Sequence, residues 1–414
     1  MNQLRSLVEH NHRKVAYGII IVSSLFLLPA FGADIQNDLD LYHALSDRIL
    51  AGLLPYRDFD YGYPPYVIPL LLLPRVFGGG NYSEGFIGFA FTADWALKLG
   101  LFFTGLRQSK TARALLPLLL YSTAIPFTRF FLLQRYDIFP AVVCLAALWM
   151  FCSQKFFFCG LTIAVGVGLK LYPALFVAPL SILAFRQGRS RTFLLGLALG
   201  LLPWLVLGLR LPWWRFAIIQ SDRGLQVESL YASILWLGKL FGWWQINWTF
   251  TNTWFEIRGA LATDWLPWTR VLLTATVLAS LALTIWAAGY LVKPSLSQLA
   301  RILLLPLLAF VAFNQVLSPQ FLIWVLPLAV LTIFEGDLYI ALSIALATIL
   351  TPIIYPSLHG DYGKGLDRFE TAVLLLRNLI LVGVWIGLFH QLLCATRQNQ
   401  KVETETASES AGHD

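Results

Sequence analysis

The chain has 414 residues, of which 57% are hydrophobic and only 13% are charged. Together with a mean hydropathy of +0.67, this composition excludes an ordinary soluble domain and predicts a polytopic membrane protein embedded in the lipid bilayer. The net charge of +7 is typical of basic loops that face anionic lipid, so it does not indicate a nucleic-acid partner.

The predicted fold is all-α, a transmembrane helical bundle of about 12 spans, because lipid leaves backbone groups no partner outside a helix. The spans are predicted over residues 15–33, 86–106, 112–128, 136–153, 156–169, 171–185, 192–209, 268–292, 299–313, 317–334, 338–355 and 371–394. Segments 156–169 and 171–185 are short for a bilayer. The apolar stretch 66–77 is too short to span and is expected to lie along the outer face.

Basic residues predict the orientation, because they concentrate on the cytoplasmic side of a membrane. They cluster before the first span and after the second, sixth and eighth spans. Both termini are therefore expected in the cytoplasm and the large first loop, residues 34–65, outside the plasma (inner) membrane. The first span also resembles a cleavable signal, but its length and the later spans favour an uncleaved anchor.

Residues 1–395 are predicted to form a single integral-membrane domain, followed by a polar, disordered cytoplasmic tail over residues 396–414. Within that domain, ten of the fifteen tryptophans fall between residues 204 and 268. This composition predicts that the long outer loop, residues 210–267, lies at the membrane interface. Residues 229–242 are expected to be an interfacial or shallowly inserted helix. Gly196 and Gly200 have the spacing of helix packing.

The first loop is the strongest candidate for a site, because it has six aspartates and two arginines beside apolar helices. If it opens as a helix, Asp38 and Tyr42 share a face, whereas Asp40 points elsewhere. A carboxyl group near an apolar surface has a raised pKa, which suits a general base. The alternative is a solvated acidic loop that satisfies topology and caps helix ends.

Further polar residues are predicted to reach the same outer face. Lys170 stands alone between two short spans, where it can contact an anion, pair, or snorkel. Arg135 lies at the turn between the third and fourth spans, where it can hold a phosphate or pair with a neighbour. The remaining candidates for substrate binding come from three later outer segments: Arg223, Glu228, Gln320 and His359.

Several motifs, in this order along the chain, resemble glycosyltransferase family 87 of the GT-C superfamily of integral-membrane transferases. They are Asp38-Leu39-Asp40-Leu41-Tyr42, residues 51–59, Tyr63-Pro64-Pro65, Arg135-Tyr136-Asp137, Lys170-Leu171-Tyr172-Pro173, residues 223–229 and residues 317–321. The resemblance implies a hexosyltransferase that takes a sugar, most commonly mannose, from a polyprenyl-phosphate donor. It implies an aspartate base in the first outer loop, where Asp38 has the matching position and Asp40 the variable one.

The implied reaction is an inverting transfer to a hydroxyl of a glycolipid or cell-envelope glycan. Lys170, Arg135 and Arg223 are candidates to stabilise the departing phosphate, and Tyr42 to contact substrate. Neither a cofactor nor a metal is expected, and no phosphate-binding loop or metal motif is found in the sequence. Two alternatives stay open: a lipid-linked glycan flippase or transporter, and a membrane-embedded scaffold.

Overall fold

A computed structural model describes residues 2–32, 38–251, 254–360 and 365–411. Side chains are described for residues 11–32, 38–250, 255–354, 365–403 and 405. This part of the chain is mostly helical.

The helices form one bundle, joined by short turns that include several 3₁₀ segments. In chain order they are α1 (Asn2–Leu25), α2 (Asp38–Leu50), α3 (Val67–Phe77), α4 (Tyr82–Gln108), α5 (Leu116–Ala124), α6 (Arg129–Gln134), α7 (Ile138–Cys152), α8 (Phe156–Leu169), α9 (Val177–Arg186), α10 (Ser190–Gly208), α11 (Arg215–Ser221), α12 (Leu230–Leu240), α13 (Ala260–Ala288), α14 (Leu296–Ala312), α15 (Phe321–Leu331), α16 (Leu338–Gly360) and α17 (Arg368–Ala411).

Six helical segments of the described chain are long and apolar enough to cross a membrane. They are Asn11–Ala30, Tyr82–Gln108, Ala112–Gln134, Ser190–Gly208, Ala260–Ala288 and Arg368–Glu403. The other predicted spans correspond to apolar helices of 10–17 residues: Ile138–Cys152, Phe156–Leu169, Tyr172–Arg186, Leu296–Ala312, Phe321–Glu335 and Leu338–Ile354. These are shorter than the ~20 residues that a full crossing needs, so helix length supports six spans and leaves the predicted twelve unconfirmed.

The centre of the bundle is α15, in which every residue is buried. A helix that is hydrophobic all round belongs in such a core, whereas an amphipathic stripe would leave one face outside. The neighbouring α14 is buried over most of its length. By contrast, α10 buries mainly Phe193, Gly196, Gly200 and Trp204 and leaves many of its leucines exposed. Its exposed apolar face is typical of a helix against lipid.

Close packing of α8 and α10 depends on glycine. A Cβ atom on Gly196 would lie 2.0 Å from the carbonyl oxygen of Phe157, and one on Gly200 would lie 2.4 Å from the Cβ atom of Ala164. The two backbones therefore approach closer than any larger residue allows. This contact confirms the interpretation of the glycine pair as a packing motif.

The long loop over residues 210–267 contains a β-hairpin that the all-α prediction missed. Strands β1 (Asn247–Thr251) and β2 (Trp254–Arg258) pair antiparallel, with Asn247 opposite Arg258. Their aromatic and β-branched residues favour strands. Helix α12 lies within the predicted interfacial helix 229–242, and the Ser229 hydroxyl caps it by accepting a hydrogen bond from the Ala232 amide at 3.2 Å.

The C-terminal segment also differs from its prediction. Residues 396–414 were expected to be disordered, but α17 continues without a break to Ala411. No glycine or proline lies between residues 396 and 411. The segment also has two Gln, three Glu and two Ala residues, which are compatible with a helix, so polarity alone did not predict its conformation.

Candidate active site

An ion pair between Asp38 and Arg135 forms the centre of the candidate site. Asp38 begins α2, where the helix N-terminus favours a carboxylate, and Arg135 directly follows α6. The Arg135 Nε atom donates to Oδ2 of Asp38 at 2.6 Å, and its Nη1 atom donates to Oε1 of Gln320. The two charged side chains remain 16% and 20% exposed. Three segments that are distant in the sequence thus meet at a partly accessible point.

Lys170 belongs to the adjoining group. It lies in extended conformation at the end of α8, and its Nζ atom is 3.0 Å from Oδ1 of Asp137. The same Oδ1 atom accepts a hydrogen bond of 2.9 Å from the Trp324 indole. The ammonium also lies 4.3 Å from the ring centre of Tyr136. Burial lowers the pKa of Lys170, and the charge of Asp137 opposes that effect. Lys170 is therefore paired with Asp137 and packed against aromatic rings.

Arg223 is the third cation of the site. Its Nη1 atom donates to Gln220 at 3.3 Å, and its backbone carbonyl accepts from Gln315 at 2.6 Å. Burial, followed by repulsion from Arg135, lowers the pKa of Arg223 to about 10. Arg135 and Arg223 also act on Lys170 in the same direction. The three cations therefore act on one another electrostatically, but each also faces a carboxylate: Asp38, Asp137 and Glu256. An anion would bind here by competing with these carboxylates.

Three tyrosines pack edge to face beside Asp38. The ring centres are 5.8 Å apart for Tyr42 and Tyr63, 6.2 Å for Tyr42 and Tyr136, and 5.5 Å for Tyr63 and Tyr136. Burial is the main cause that raises the pKa of Tyr42 and Tyr63, so both hydroxyls stay protonated. Tyr42 is only 2% exposed. It therefore supports the site from beneath and presents little surface to a ligand.

The structure separates the two candidate bases, as the helical spacing predicted. Asp38 points towards Arg135, whereas Asp40 is exposed and acts electrostatically on His43. His359 lies on α16, but its side chain falls outside the described residues.

Glu228 is buried against α17, where it contacts Arg377. Its Oε2 atom is 3.3 Å from Nη1 of Arg377, and its backbone carbonyl accepts from Arg377 at 2.7 Å and from Asn378 at 3.2 Å. Burial raises the pKa of Glu228 to about 7, although Arg377 and Arg135 oppose this. Glu228 thus fastens the loop before α12 to α17, so its predicted contact with substrate gains no support from the geometry.

Sequence reasoning did not assign roles to Asp137 and Trp324, which hold Lys170. The Trp324 indole is one helical turn after Gln320, a spacing that places both on one face of the chain. A further contact joins the site to the long loop, because the Gln226 amide donates to Ser318 at 3.1 Å. These residues keep the segments after α11 and before α15 together.

A second polar cluster, within α4, was also missed. Nζ of Lys98 lies 2.7 Å from Oδ2 of Asp94, and both side chains are 0% exposed. The Tyr121 hydroxyl donates to Oδ1 of Asp94 at 2.9 Å, and Lys98 reaches Ser24 at 3.5 Å. Opposite charges four residues apart were the available signal. The cluster ties α1, α4 and α5 together inside a candidate span.

Within the described residues, no group of three or more His, Cys, Asp or Glu side chains is arranged to hold a metal ion. The three cations and Asp38 instead form an arrangement that can bind an anionic group and accept a proton beside it. No protein-family model matches the chain, and comparison with curated proteins finds no similar protein.

Proposed function

We propose that this chain is an integral-membrane glycosyltransferase. It transfers a sugar, with mannose favoured, from a polyprenyl-phosphate donor to an acceptor hydroxyl on the extracytoplasmic face, with inversion. The observation that carries the proposal is the partly exposed ion pair of Asp38 with Arg135. Next to it in the chain, Tyr136 contacts the ammonium of Lys170, on which Arg135 and Arg223 both act electrostatically. The resemblance of the same segments to glycosyltransferase family 87 adds the class of donor.

In this reaction Asp38 is the general base. Its carboxylate takes the proton of the acceptor hydroxyl while that oxygen attacks the anomeric carbon, and the bond from this carbon to the phosphate oxygen breaks. Polyprenyl phosphate leaves with the bonding electrons. A single displacement inverts the anomeric centre, and Asp38 returns to the carboxylate form by releasing its proton to water.

Arg135 links the base to the leaving group. In the free protein Arg135 holds the carboxylate of Asp38 in a charge-assisted hydrogen bond. A donor phosphate competes for the same guanidinium, and loss of that bond frees the carboxylate oxygen to accept the proton of the acceptor hydroxyl. Arg135, Lys170 and Arg223 then stabilise the charge that grows on the departing phosphate. Donor binding and activation of the base are thereby coupled.

The second candidate function is a lipid-linked glycan flippase, on which the Asp94–Lys98 pair bears. The Asp94–Lys98 pair lies deep within a candidate span, and ionisable residues inside membranes often mark transport paths. Both side chains are fully buried among protein atoms. This burial argues for a structural role, because a transport path must be accessible to its cargo.

The test is a transfer assay with purified protein in liposomes, using radiolabelled polyprenyl-phosphate mannose and extracted membrane glycolipids. Substitution of the base, Asp38→Asn, should reduce transfer by about 10²–10⁴-fold, the usual contribution of a general base. The matched variant Asp40→Asn makes the same chemical change two residues away, at an exposed position, and should retain transfer within about twofold of wild type.

Equal transfer by wild type and a folded Asp38→Asn protein would remove Asp38 from the mechanism, and loss in Asp40→Asn alone would assign the base to Asp40. Failure of wild type across a panel of lipid-linked donors and acceptors would favour the flippase. Translocation of a fluorescent lipid-linked glycan, unchanged in Asp38→Asn, would then establish that second function.

A further inference from the structure

A small cavity of about 240 Å³ lies at the opposite end of α7 from the candidate active site. Asp137 is the residue before α7, and Cys152 is its last residue. At 1.5 Å per residue, the 15 residues of this helix place the two ends ~22 Å apart. The cavity is lined by Phe151, Cys152, Gln154, Gln187, Lys293 and Pro294. It is therefore separate from the site described above.

Three connections between helices meet around this cavity. The turn from α7 to α8 joins the turn from α9 to α10 through a hydrogen bond of 2.9 Å from Nε2 of Gln154 to Oε1 of Gln187. The connection from α13 to α14 joins them where the Cys152 thiol lies 3.8 Å from the carbonyl oxygen of Pro294. The walls of the cavity are thus held by contacts between separate helices.

The polar groups of the cavity are mainly donors. The Nε2 atom of Gln187 is buried and has no acceptor among the described residues. Lys293 lines the cavity and is exposed to solvent. The nearby carboxylate of Glu335 is already occupied, because it accepts hydrogen bonds from Ser295 and Ser297. An unmatched amide donor and an ammonium that line the same cavity are together complementary to an anion.

Apart from the carboxylate of Glu335, the charge in the connections around the cavity is basic. Within residues 152–156, 185–192 and 289–298, the sequence has five basic residues and no acidic residue: Lys155, Arg186, Arg189, Arg191 and Lys293. The Arg107 guanidinium lies 4.0 Å from the ring centre of Trp149 and acts electrostatically on Cys152. These charges raise the local concentration of anions at the cavity mouth.

Two large apolar side chains stand beside the basic residues. Phe158, in the first turn of α8, is 52% exposed, and Phe185, directly before Arg186, is 69% exposed. The cavity is smaller than the ~300 Å³ at the lower end of small-molecule pockets. A cavity of this size can hold a headgroup but not a whole lipid, so the acyl chains would lie along the exposed phenylalanines.

We propose that this cavity binds the phosphate of an anionic lipid headgroup, with Lys293 and the free amide of Gln187 as its ligands. Basic pockets between membrane helices recognise such headgroups through charge and hydrogen bonds. Inorganic phosphate has the same chemistry and is the other source of the anion. The binding is independent of Asp38 and of glycosyl transfer, so it is measured without an activity assay.

The test is native mass spectrometry of the purified protein in mild detergent, titrated with phosphatidylglycerol or with phosphatidylcholine. Wild type should bind one phosphatidylglycerol more tightly than phosphatidylcholine. Lys293→Gln should weaken the first complex about fivefold, since each basic residue near an anionic lipid contributes ~1 kcal/mol. The matched control Lys401→Gln removes an exposed lysine on α17 and should bind as wild type does.

A second variant tests the cavity without changing charge. Cys152→Leu enlarges a lining side chain and should also weaken the complex. Competition by inorganic phosphate at constant ionic strength identifies the source: displacement of the lipid supports a phosphate site that free phosphate also occupies, and no displacement supports lipid alone. Equal binding of both lipids, or wild-type affinity in both Lys293→Gln and Cys152→Leu, would overturn the proposal.

Discussion

The Asp94–Lys98 pair in α4 gives a stability prediction whose size follows from its burial. Both side chains are 0% exposed and 2.7 Å apart. Removal of one member of a buried pair leaves the other charge without compensation, which costs about 3–5 kcal/mol. The single variants Lys98→Met and Asp94→Asn should each lose this amount. That is a large part of the 5–15 kcal/mol that holds a typical protein folded.

The double variant Asp94→Asn/Lys98→Met separates charge compensation from packing. Methionine retains most of the lysine stem, and the asparagine carbonyl still accepts the hydrogen bond that Tyr121 donates to Asp94 at 2.9 Å. With both charges removed, the cost should fall to about 1 kcal/mol, because an apolar replacement of a buried ion pair is often neutral. The double variant should therefore be more stable than either single variant.

Unfolding in mixed micelles of mild detergent and increasing sodium dodecyl sulfate, followed by circular dichroism, measures these free energies. The matched control Lys110→Met makes the same change at an exposed position after α4 and should stay within about 0.5 kcal/mol of wild type. If the double variant is as unstable as the single ones, the two charges do not compensate each other, and the argument from buried pairing is wrong.

Two further predictions concern the helix packing and the loop before α12. Gly196→Ala should lower the free energy of unfolding by about 1–3 kcal/mol, because its Cβ atom would lie 2.0 Å from the carbonyl oxygen of Phe157. The control Gly88→Ala adds a Cβ atom with nothing within 4 Å, so its free energy of unfolding should stay the same or rise in the same assay. Burial raises the pKa of Glu228 from 4.5 to about 7. Between these pH values the folded protein keeps a proton that the unfolded chain releases. The contribution of Glu228 to the free energy of unfolding therefore falls by about 3 kcal/mol as pH rises from 4.5 to 7. Glu228→Gln, which still offers an oxygen to Arg377, should remove that slope, and an unchanged slope between pH 4.5 and 7 would refute the assignment.

Helix positions followed closely from the sequence because apolar runs end at charges or breakers. The prediction over residues 156–169 coincides with α8, since Lys155 and Lys170 bound the run. The hairpin β1–β2 was missed because its two tryptophans were interpreted, with those around them, as interface residues. Two strands of five residues are also too short to show a clear alternating pattern. The number of spans depends on how long each continuous helix is. Turns and 3₁₀ segments divide several apolar runs into helices that are too short to count as spans.

The candidate site was only partly predictable. Asp38 and Arg135 are 97 residues apart, so no spacing rule joins them, and their grouping came from topology and from the resemblance. Glu228 and Arg377 are 149 residues apart in the sequence, so their pairing was equally unpredictable. Because of this ion pair, the predicted contact of Glu228 with substrate has no support from the geometry. Asp94 and Lys98 have the spacing of a helical ion pair, but that spacing does not indicate that both side chains are buried against α1 and α5.

The length of α17 has a mechanical consequence. Its 44 residues extend ~66 Å at 1.5 Å per residue, whereas the hydrocarbon core of a bilayer is ~30 Å thick. Tilt of up to ~40° absorbs little of this excess, so one end must stand in water as a rigid rod. The polar end after residue 396 would then act as a spacer of about 20 Å. A fluorophore attached near Ala411 would be held at a fixed height above the lipid surface, and energy transfer to a dye in the headgroups would report that height.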